Sequence, residues 1–367
     1  MGKSLRAIGL MSGTSMDGVD MALIATDGRN VIERQAFASV SYDEIFRERL
    51  RQALADAVVM KSRDERPGCL ADVEQELTEH NATAVLGFLR DLRLSAADID
   101  LISFHGQTVL HRPEQRLTVQ IGCGPQLAAL VGTDVIYDLR ATDVAAGGQG
   151  APLAPAYHRA MAAKLDSGPI AVLNIGGVAN VTFIDSDGGL TAFDTGPGNA
   201  LLDDFVFART GDGCDENGCY SGAGTVNDAV LAELMGDAYF TAPPPKSLDR
   251  NHFAAGRLST LVLEDGAATL AAFTVEAVAV SAQHAAEKPR RWMVCGGGRH
   301  NPTIMAGLGK RLGADVLTAE AAGFDGDAVE AEAWAYLGVR SKLGLPITFP
   351  GTTGVPQAMT GGKLVVR

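Results

Sequence analysis

Apolar residues at the start of the chain come in short runs with polar breaks between them: "LRAIGLM", then "SGTSMD", "GVDMALIAT", then "DGRN", then "VIERQAFASV". Runs of this kind, closed by Gly, Ser, Asn and Asp, predict three strands joined by turns. The period then changes. In "RERLRQALADAVV" and "DVEQELTEHNATAVLGFLRDL" apolar positions recur at helical spacing, with Val73, Leu77, Ala84 and Phe88 on one face, and two amphipathic helices follow. His80 and Asn81 inside the second read as solvent-facing or capping residues. "DIDLISFHGQT" and "TDVIYDLRATDVAAGGQGAP" read as strands with glycine-containing exits, and "LAPAYHRAMAAKL" as a helix.

The opening pattern returns in "PIAVLNIGGVANVTFIDSDGGLTAFDTG": strand, glycine turn, strand, Asp-Gly turn, strand. Helices follow in "GNALLDDFVFART", "AVLAELMGDAYF" and the Ala-rich run 267–286, interrupted by the apolar strand "RWMVCGGG". The chain closes with the helix "DAVEAEAWAYLGVRSKL" and a Gly/Pro/Thr-rich tail from Pro346. At 367 residues it exceeds what one hydrophobic core organises. A repeated three-strand unit feeding strand–helix alternation predicts a duplicated α/β fold of two lobes, residues 1–165 and 166–367, with a central cleft and the tail 346–367 packing on the first lobe.

Composition restricts the partners. Lys and Arg number 31 against 44 Asp and Glu, a net charge of -13, and no basic run longer than "KPRR" offsets it, so neither nucleic acid nor anionic lipid is expected to bind. The start has no apolar core of signal-peptide length, and no later run reads as a membrane span, which predicts a cytoplasmic protein. Five cysteines at irregular spacing argue against a disulfide framework. Cys214 and Cys219 in "CDENGC" lack a second ligand pair for a metal, and Cys69, Cys123 and Cys295 read as packing residues.

The glycine breaks carry the candidate chemistry. A glycine turn between strands lets backbone N–H groups point at an anion without side chains in the way. Gly9, Ser12, Gly13, Thr14, Ser15, Met16, Asp17 and Gly18 in the first copy are candidate ATP-phosphate contacts, with Asp17 placed to hold water or a magnesium ion. Taken alone, the segment also fits an ordinary Gly-Ser hairpin, since the Walker lysine is missing. Asn174, Gly176 and Gly177 offer a second clamp. Gly296, Gly297 and Gly298 follow a buried strand, where an adenine or ribose is the expected occupant. In "AFDTGPGN", Asp194 reads as a strand-end carboxylate facing the helix that begins near Asn199, a candidate general base. Asp203 and Asp204 fall inside that helix, one inward and one outward. His105, Gln107, Thr108 and Arg140 lie at strand ends, as do Asp138, Asp143 and Gln149; their polar groups suit a sugar.

Read in order, "GLMSGTSMDGVD", "SFHGQTVLH", "TVQIG", "DLRATDVAAGGQGAPLAPAYH", "LNIGGVANVT", "FDTGPGNALLD", "PKSLDRNHF" and "VCGGGRHNPTIM" resemble the motifs of the anhydro-N-acetylmuramic acid kinase family, with a weaker match in "VEAEAWAYL". The resemblance implies the two-lobed sugar kinase/Hsp70/actin-like fold. It also implies an ATP-dependent hydrolytic opening of 1,6-anhydro-N-acetylmuramic acid to N-acetylmuramic acid 6-phosphate in cell-wall recycling. By the same resemblance Asp194 is the catalytic base, Ser12 to Gly18 with Gly176 and Gly177 hold phosphate, Gln107, Thr108, Arg140 and Glu330 contact the sugar, and the enzyme is a homodimer. Two positions depart from the family pattern: "DLRAT" keeps Arg140 but loses flanking arginines, and Tyr220 replaces a usual Trp. The alternative from another class is an actin- or Hsp70-like nucleotide switch that binds a protein partner.

Overall fold

A computed structural model describes residues 3–13, 16–165, 168–250, 252–253 and 256–367. The chain divides into two compact units, Met1–Lys164 with Ala328–Arg367, and Leu165–Asp327.

The first unit opens with an antiparallel meander, β1 (Leu5–Met11), β2 (Gly18–Thr26) and β3 (Ile32–Ser41). The Asp27 carboxylate closes the second turn by accepting the amides of Arg29, Asn30 and Val31, and Gly28 supplies the positive φ of 68° that the turn needs. Helix α1 (Glu44–Ala57) starts at Asp43, whose side chain caps the Phe46 amide at 2.8 Å. Phe46 and Leu50 of α1 and Val73, Leu77, Val85 and Phe88 of α2 (Leu70–Asp91) are buried in one core with Ile8, Leu10 and Met21 of the sheet. Each large side chain so buried contributes ~1.5–3 kcal/mol. Ala84 and Phe88 follow the expected stripe, but Asn81 does not face solvent: it is buried, with Nδ2 donating to the Leu77 carbonyl at 2.8 Å. That intrahelical bond engages Nδ2, while Oδ1 is buried with no partner among the described residues.

Strand β4 (Leu101–Phe104) runs parallel to β1. A separate ladder of β5 (Gln107–Arg112) and β6 (Leu117–Ile121) follows, then α3 (Gly124–Val131) and β7 (Val135–Tyr137), which is parallel to β4. Two short helices, α4 (Ala141–Ala145) and α5 (Pro155–Ala162), end this part of the chain.

The second unit repeats the plan. Strands β8 (Ile170–Ile175), β9 (Val178–Ile184) and β10 (Leu190–Pro197) form an antiparallel meander. After α6 (Ala200–Thr210), α7 (Asp228–Leu234) and α8 (Leu263–Ser281), strand β11 (Arg291–Cys295) joins β8 in parallel. Helix α9 (Pro302–Leu312) leads to β12 (Asp315–Thr318), parallel to β11. The strand orders are β3-β2-β1-β4-β7 and β10-β9-β8-β11-β12, so both sheets run third, second, first, fourth, fifth. This is the duplication that the repeated apolar pattern implied. By length and composition alone, Leu263–His284 could cross a membrane. Its Ala267, Leu270, Phe273 and Val278 are instead buried in the cores of this unit, which explains the apolar composition.

The chain then returns to the first unit with α10 (Val329–Lys342), α11 (Pro350–Thr353) and β13 (Lys363–Val365), the last pairing with β7 as a sixth strand. The boundary therefore differs from the expected one, because α10 as well as the tail packs here. The cause is a seam of small residues. A Cβ on Gly9 would lie 2.0 Å from the Ala331 carbonyl oxygen and 2.4 Å from the Ala335 amide nitrogen, and one on Gly338 would lie 2.5 Å from Ser103 Cβ. Helix and sheet touch through their backbones, which only glycine at these points allows.

Candidate active site

In the first unit, the loop from Ser12 to Asp17 joins β1 to β2. Thr14 and Ser15 lie outside the described residues. Ser12 is buried, with its hydroxyl 3.0 Å from that of Tyr42, and Met16 takes a positive φ of 55° while its amide bonds the Gly13 carbonyl at 3.3 Å. Asp17 is exposed. Gly9 and Gly18 are less available to a phosphate than their place in the motif implies. Gly9 is buried in the α10 seam, and a Cβ on Gly18 would lie 2.4 Å from the Val40 carbonyl oxygen, so both glycines answer to packing.

The sugar candidates of this unit gather around β4, β5 and β7. Gln107 is buried; Nε2 donates to the Gly13 carbonyl at 3.2 Å, while Oε1 is buried with no hydrogen-bond partner among the described residues. An unpaired buried acceptor is costly. Arg140 donates to the Gly150 carbonyl at 2.8 Å and to His105 Nε2 at 3.2 Å, and its guanidinium lies 4.9 Å from the Trp334 ring centre. Burial, reinforced by Arg140, pushes His105 down to about 3, so the ring is neutral and Nε2 is the acceptor. Burial lowers Arg140 to about 10, opposed by Glu330 and Asp143. Glu330, exposed in the first turn of α10, thus acts on Arg140 electrostatically. Asp143 organises the loop beside them by accepting the Gly150 amide and the Thr353 hydroxyl, both at 2.6 Å. The Thr108 hydroxyl takes a bond from Gln120 at 3.2 Å. Asp138 is committed elsewhere, to Arg63 and Lys363.

In the second unit, the glycine clusters meet around Asn199. Gly176 and Gly177 form the loop between β8 and β9, and their carbonyls accept the amides of Asn199, Gly198 and Ala200. The Asn199 side chain donates to the Ile175 carbonyl at 3.3 Å, and its Nδ2 lies 3.4 Å from where a Gly297 Cβ would stand. The glycines divide by cause. Gly296 has φ 76° and a Cβ there would lie 2.2 Å from Asn174 Oδ1; one on Gly298 would lie 2.3 Å from Ile175. Gly176, Gly177 and Gly297 take no positive φ, and a Cβ on any of them would meet nothing closer than 3.4 Å. Neither backbone shape nor packing requires glycine at these three. Beside them opens a cavity of about 450 Å³, lined by Asn199, Leu202, Asp203, Asp215, Asn217, Gly297, His300 and Asn301 among others. Its size suits a nucleoside. Asp203 is pushed up to about 6 by burial and by Asp204, and Asp204 itself is exposed and paired with Arg250 at 2.8 Å. No three His, Cys, Asp or Glu side chains gather as a metal site among the described residues, Cys214 and Cys219 included.

Asp194 does not end its strand. Strand β10 runs on to Pro197, which pairs with Val178, and the register shifts between Asp194 and Gly196. The carboxylate is half-buried, and Oδ2 accepts the Leu248 amide at 2.8 Å. Burial raises it to about 6, against the lowering effect of that amide. Above that pH it is an anion, and the value suits a general base. The residues that hold it, Tyr239, Lys246 and Leu248, were not anticipated as site residues. They lie in or before "PKSLDRNHF", whose residues 245–250 are irregular backbone that no periodicity ties to β10.

Sequence comparison agrees over nearly the whole chain. A family profile described as anhydro-N-acetylmuramic acid kinase matches residues 5–366. Proteins bearing that name from Rhizobium etli and Bradyrhizobium diazoefficiens are 52% identical over 361 residues and 51% over 362, covering 98% of this chain and 98% and 99% of theirs. One from Agrobacterium fabrum is 49% identical over 371 residues, covering 100% of both chains. The chain belongs to the anhydro-N-acetylmuramic acid kinase family.

Proposed function

We propose that this protein is an ATP-dependent kinase that opens 1,6-anhydro-N-acetylmuramic acid with water and phosphorylates O6, releasing N-acetylmuramic acid 6-phosphate and ADP in cell-wall recycling. The observation that carries it is Asp194: a half-buried carboxylate on the family's FD-x-GPGN motif, raised to about 6, with one oxygen fixed by a backbone amide. Asp194 accepts a proton from water as the water oxygen bonds to the anomeric carbon. The bond from that carbon to O6 breaks, and O6 takes the γ-phosphoryl group as its bond to the ADP oxygen breaks. A single base thereby serves hydrolysis and transfer, with the phosphoryl group in place of the acid a glycosidase needs.

Gly176, Gly177 and Gly297 would let backbone approach the nucleotide, with the adjoining cavity for its nucleoside. Gln107 Oε1 and the Arg140 guanidinium would orient the sugar by accepting from a hydroxyl and pairing with a carboxylate. A magnesium ion suits this arrangement because it is usually held by phosphates, water and one or two carboxylates; Asp17 is the candidate carboxylate, and the ion would neutralise phosphate charge. We place the reaction in the cytoplasm and the enzyme as a homodimer, which sedimentation velocity would check.

The test is Asp194→Asn, which should keep ATP and sugar binding by calorimetry and lose turnover by ~10²–10⁴-fold. Turnover near wild type would remove Asp194 from this role. In oxygen-18 water, label should enter the anomeric hydroxyl and not the phosphate; label in phosphate would mean that water attacks ATP.

A further inference from the structure

Asp194 is held on its outer side in an unusual way. Its amide donates to the Lys246 carbonyl at 3.1 Å. Two residues further on, the Leu248 amide bonds the Asp194 carboxylate at 2.8 Å. The Asp194 carbonyl is already taken, because the Tyr239 hydroxyl donates to it at 2.5 Å. Tyr239 is in turn fixed. Its amide donates to Asp237 at 2.8 Å, its carbonyl accepts from Lys246 Nζ at 2.8 Å, and that ammonium lies 4.5 Å from the centre of its ring.

We propose that Tyr239 is a positioning residue for the base: by capping the Asp194 carbonyl it withholds that acceptor from the Leu248 amide and keeps the amide on the carboxylate. The proposal rests on the reading of Asp194 as the base, and its consequence follows from competition between two acceptors for one donor. Without the hydroxyl, the Asp194 carbonyl is an unsatisfied acceptor on the residue whose carboxylate holds the Leu248 amide, and that amide moves to it. The carboxylate then loses the bond that favours its charged form and that fixes its direction. The other titratable groups around this point are Lys246, His284, whose ring packs on Phe193, and His252, which pairs with Asp237 at 3.3 Å. Asp249 follows Leu248, and Arg250 is engaged by Asp204. None of these is removed by Tyr239→Phe, which keeps the ring.

The experiment is a carbon-13 titration of the Asp194 carboxyl in full-length protein, its resonance assigned by its loss in Asp194→Asn. Tyr239→Phe should raise the midpoint by about one to two pH units, the equivalent of one hydrogen bond to a charged group. Leu248→Pro, which deletes the amide itself, should raise it by a similar amount, and the double variant should go no further than either alone. The acid limb of kcat/KM should move with the midpoint while the KM for ATP stays the same. A midpoint unmoved in Tyr239→Phe, or full additivity in the double variant, overturns the proposal. Should the midpoint move while Asp194→Asn keeps its turnover, the tether stands and the base assignment falls.

Discussion

Gly9→Ala separates two reasons for a glycine in the first motif. The added methyl carbon would stand 2.0 Å from the Ala331 carbonyl oxygen and 2.4 Å from the Ala335 amide nitrogen. Carbon contacts are comfortable near ~3.5 Å, so β1 and α10 must part by about 1 Å or more. Overpacking of a core costs ~1–3 kcal/mol, and the upper end applies because both obstacles are backbone atoms with no rotamer to yield. A stiffer unfolded chain returns ~0.4–1 kcal/mol. The net loss is about 2 kcal/mol, or roughly 4–8 °C in Tm at ~2–4 °C per kcal/mol for a unit of this size. Scanning calorimetry measures it, alongside the KM for ATP at a temperature where the variant is folded. A variant that melts like wild type but has lost affinity for ATP would refute the packing argument and return Gly9 to the phosphate site.

Two other glycines should split in the same way. Gly297→Ala, whose Cβ would meet only Asn199 Nδ2 at 3.4 Å, should leave Tm alone and raise the KM for ATP; Gly296→Ala, strained at φ 76°, should lower Tm. Asp194, pushed up to about 6 from 3.8, binds more protons folded than unfolded between those values, so its contribution to stability falls as pH rises through that window. Asp194→Asn should therefore raise Tm at pH 8 and raise it less at pH 5; equal gains at both would contradict the burial of the charge. Arg140→Lys loses the planar group over Trp334 and the fork shared by Gly150 and His105, and should raise the sugar KM about tenfold or more with the ATP KM unchanged.

The duplicated architecture was legible because each meander repeats one apolar rhythm; the crossovers that set β4 beside β1 and β11 beside β8 were not. The site was legible as motifs and much less so as causes. Gly9 and Gly18 read as phosphate contacts, but their partners, α10 and β3, are revealed only by the fold. At Gly176, Gly177 and Gly297 neither backbone shape nor packing calls for glycine. Asn81 read as solvent-facing by its polarity, but it sits four residues after Leu77 and three before Ala84, and so is buried on the stripe. Asp194 stood out by its motif, whereas its tether runs from irregular backbone that no period encodes.

The small-residue seam between β1 and α10 also orders events in time. Leu165–Asp327 is continuous and has its whole sheet in hand once Asp327 is made, but the sheet begun at Leu5 lacks its covering helix until Val329–Lys342 is synthesised. A ribosome therefore releases the middle of this protein ready to close before its beginning, and a chain cut short ahead of Ala328 would leave the apolar face around Gly9 bare to water and open to aggregation.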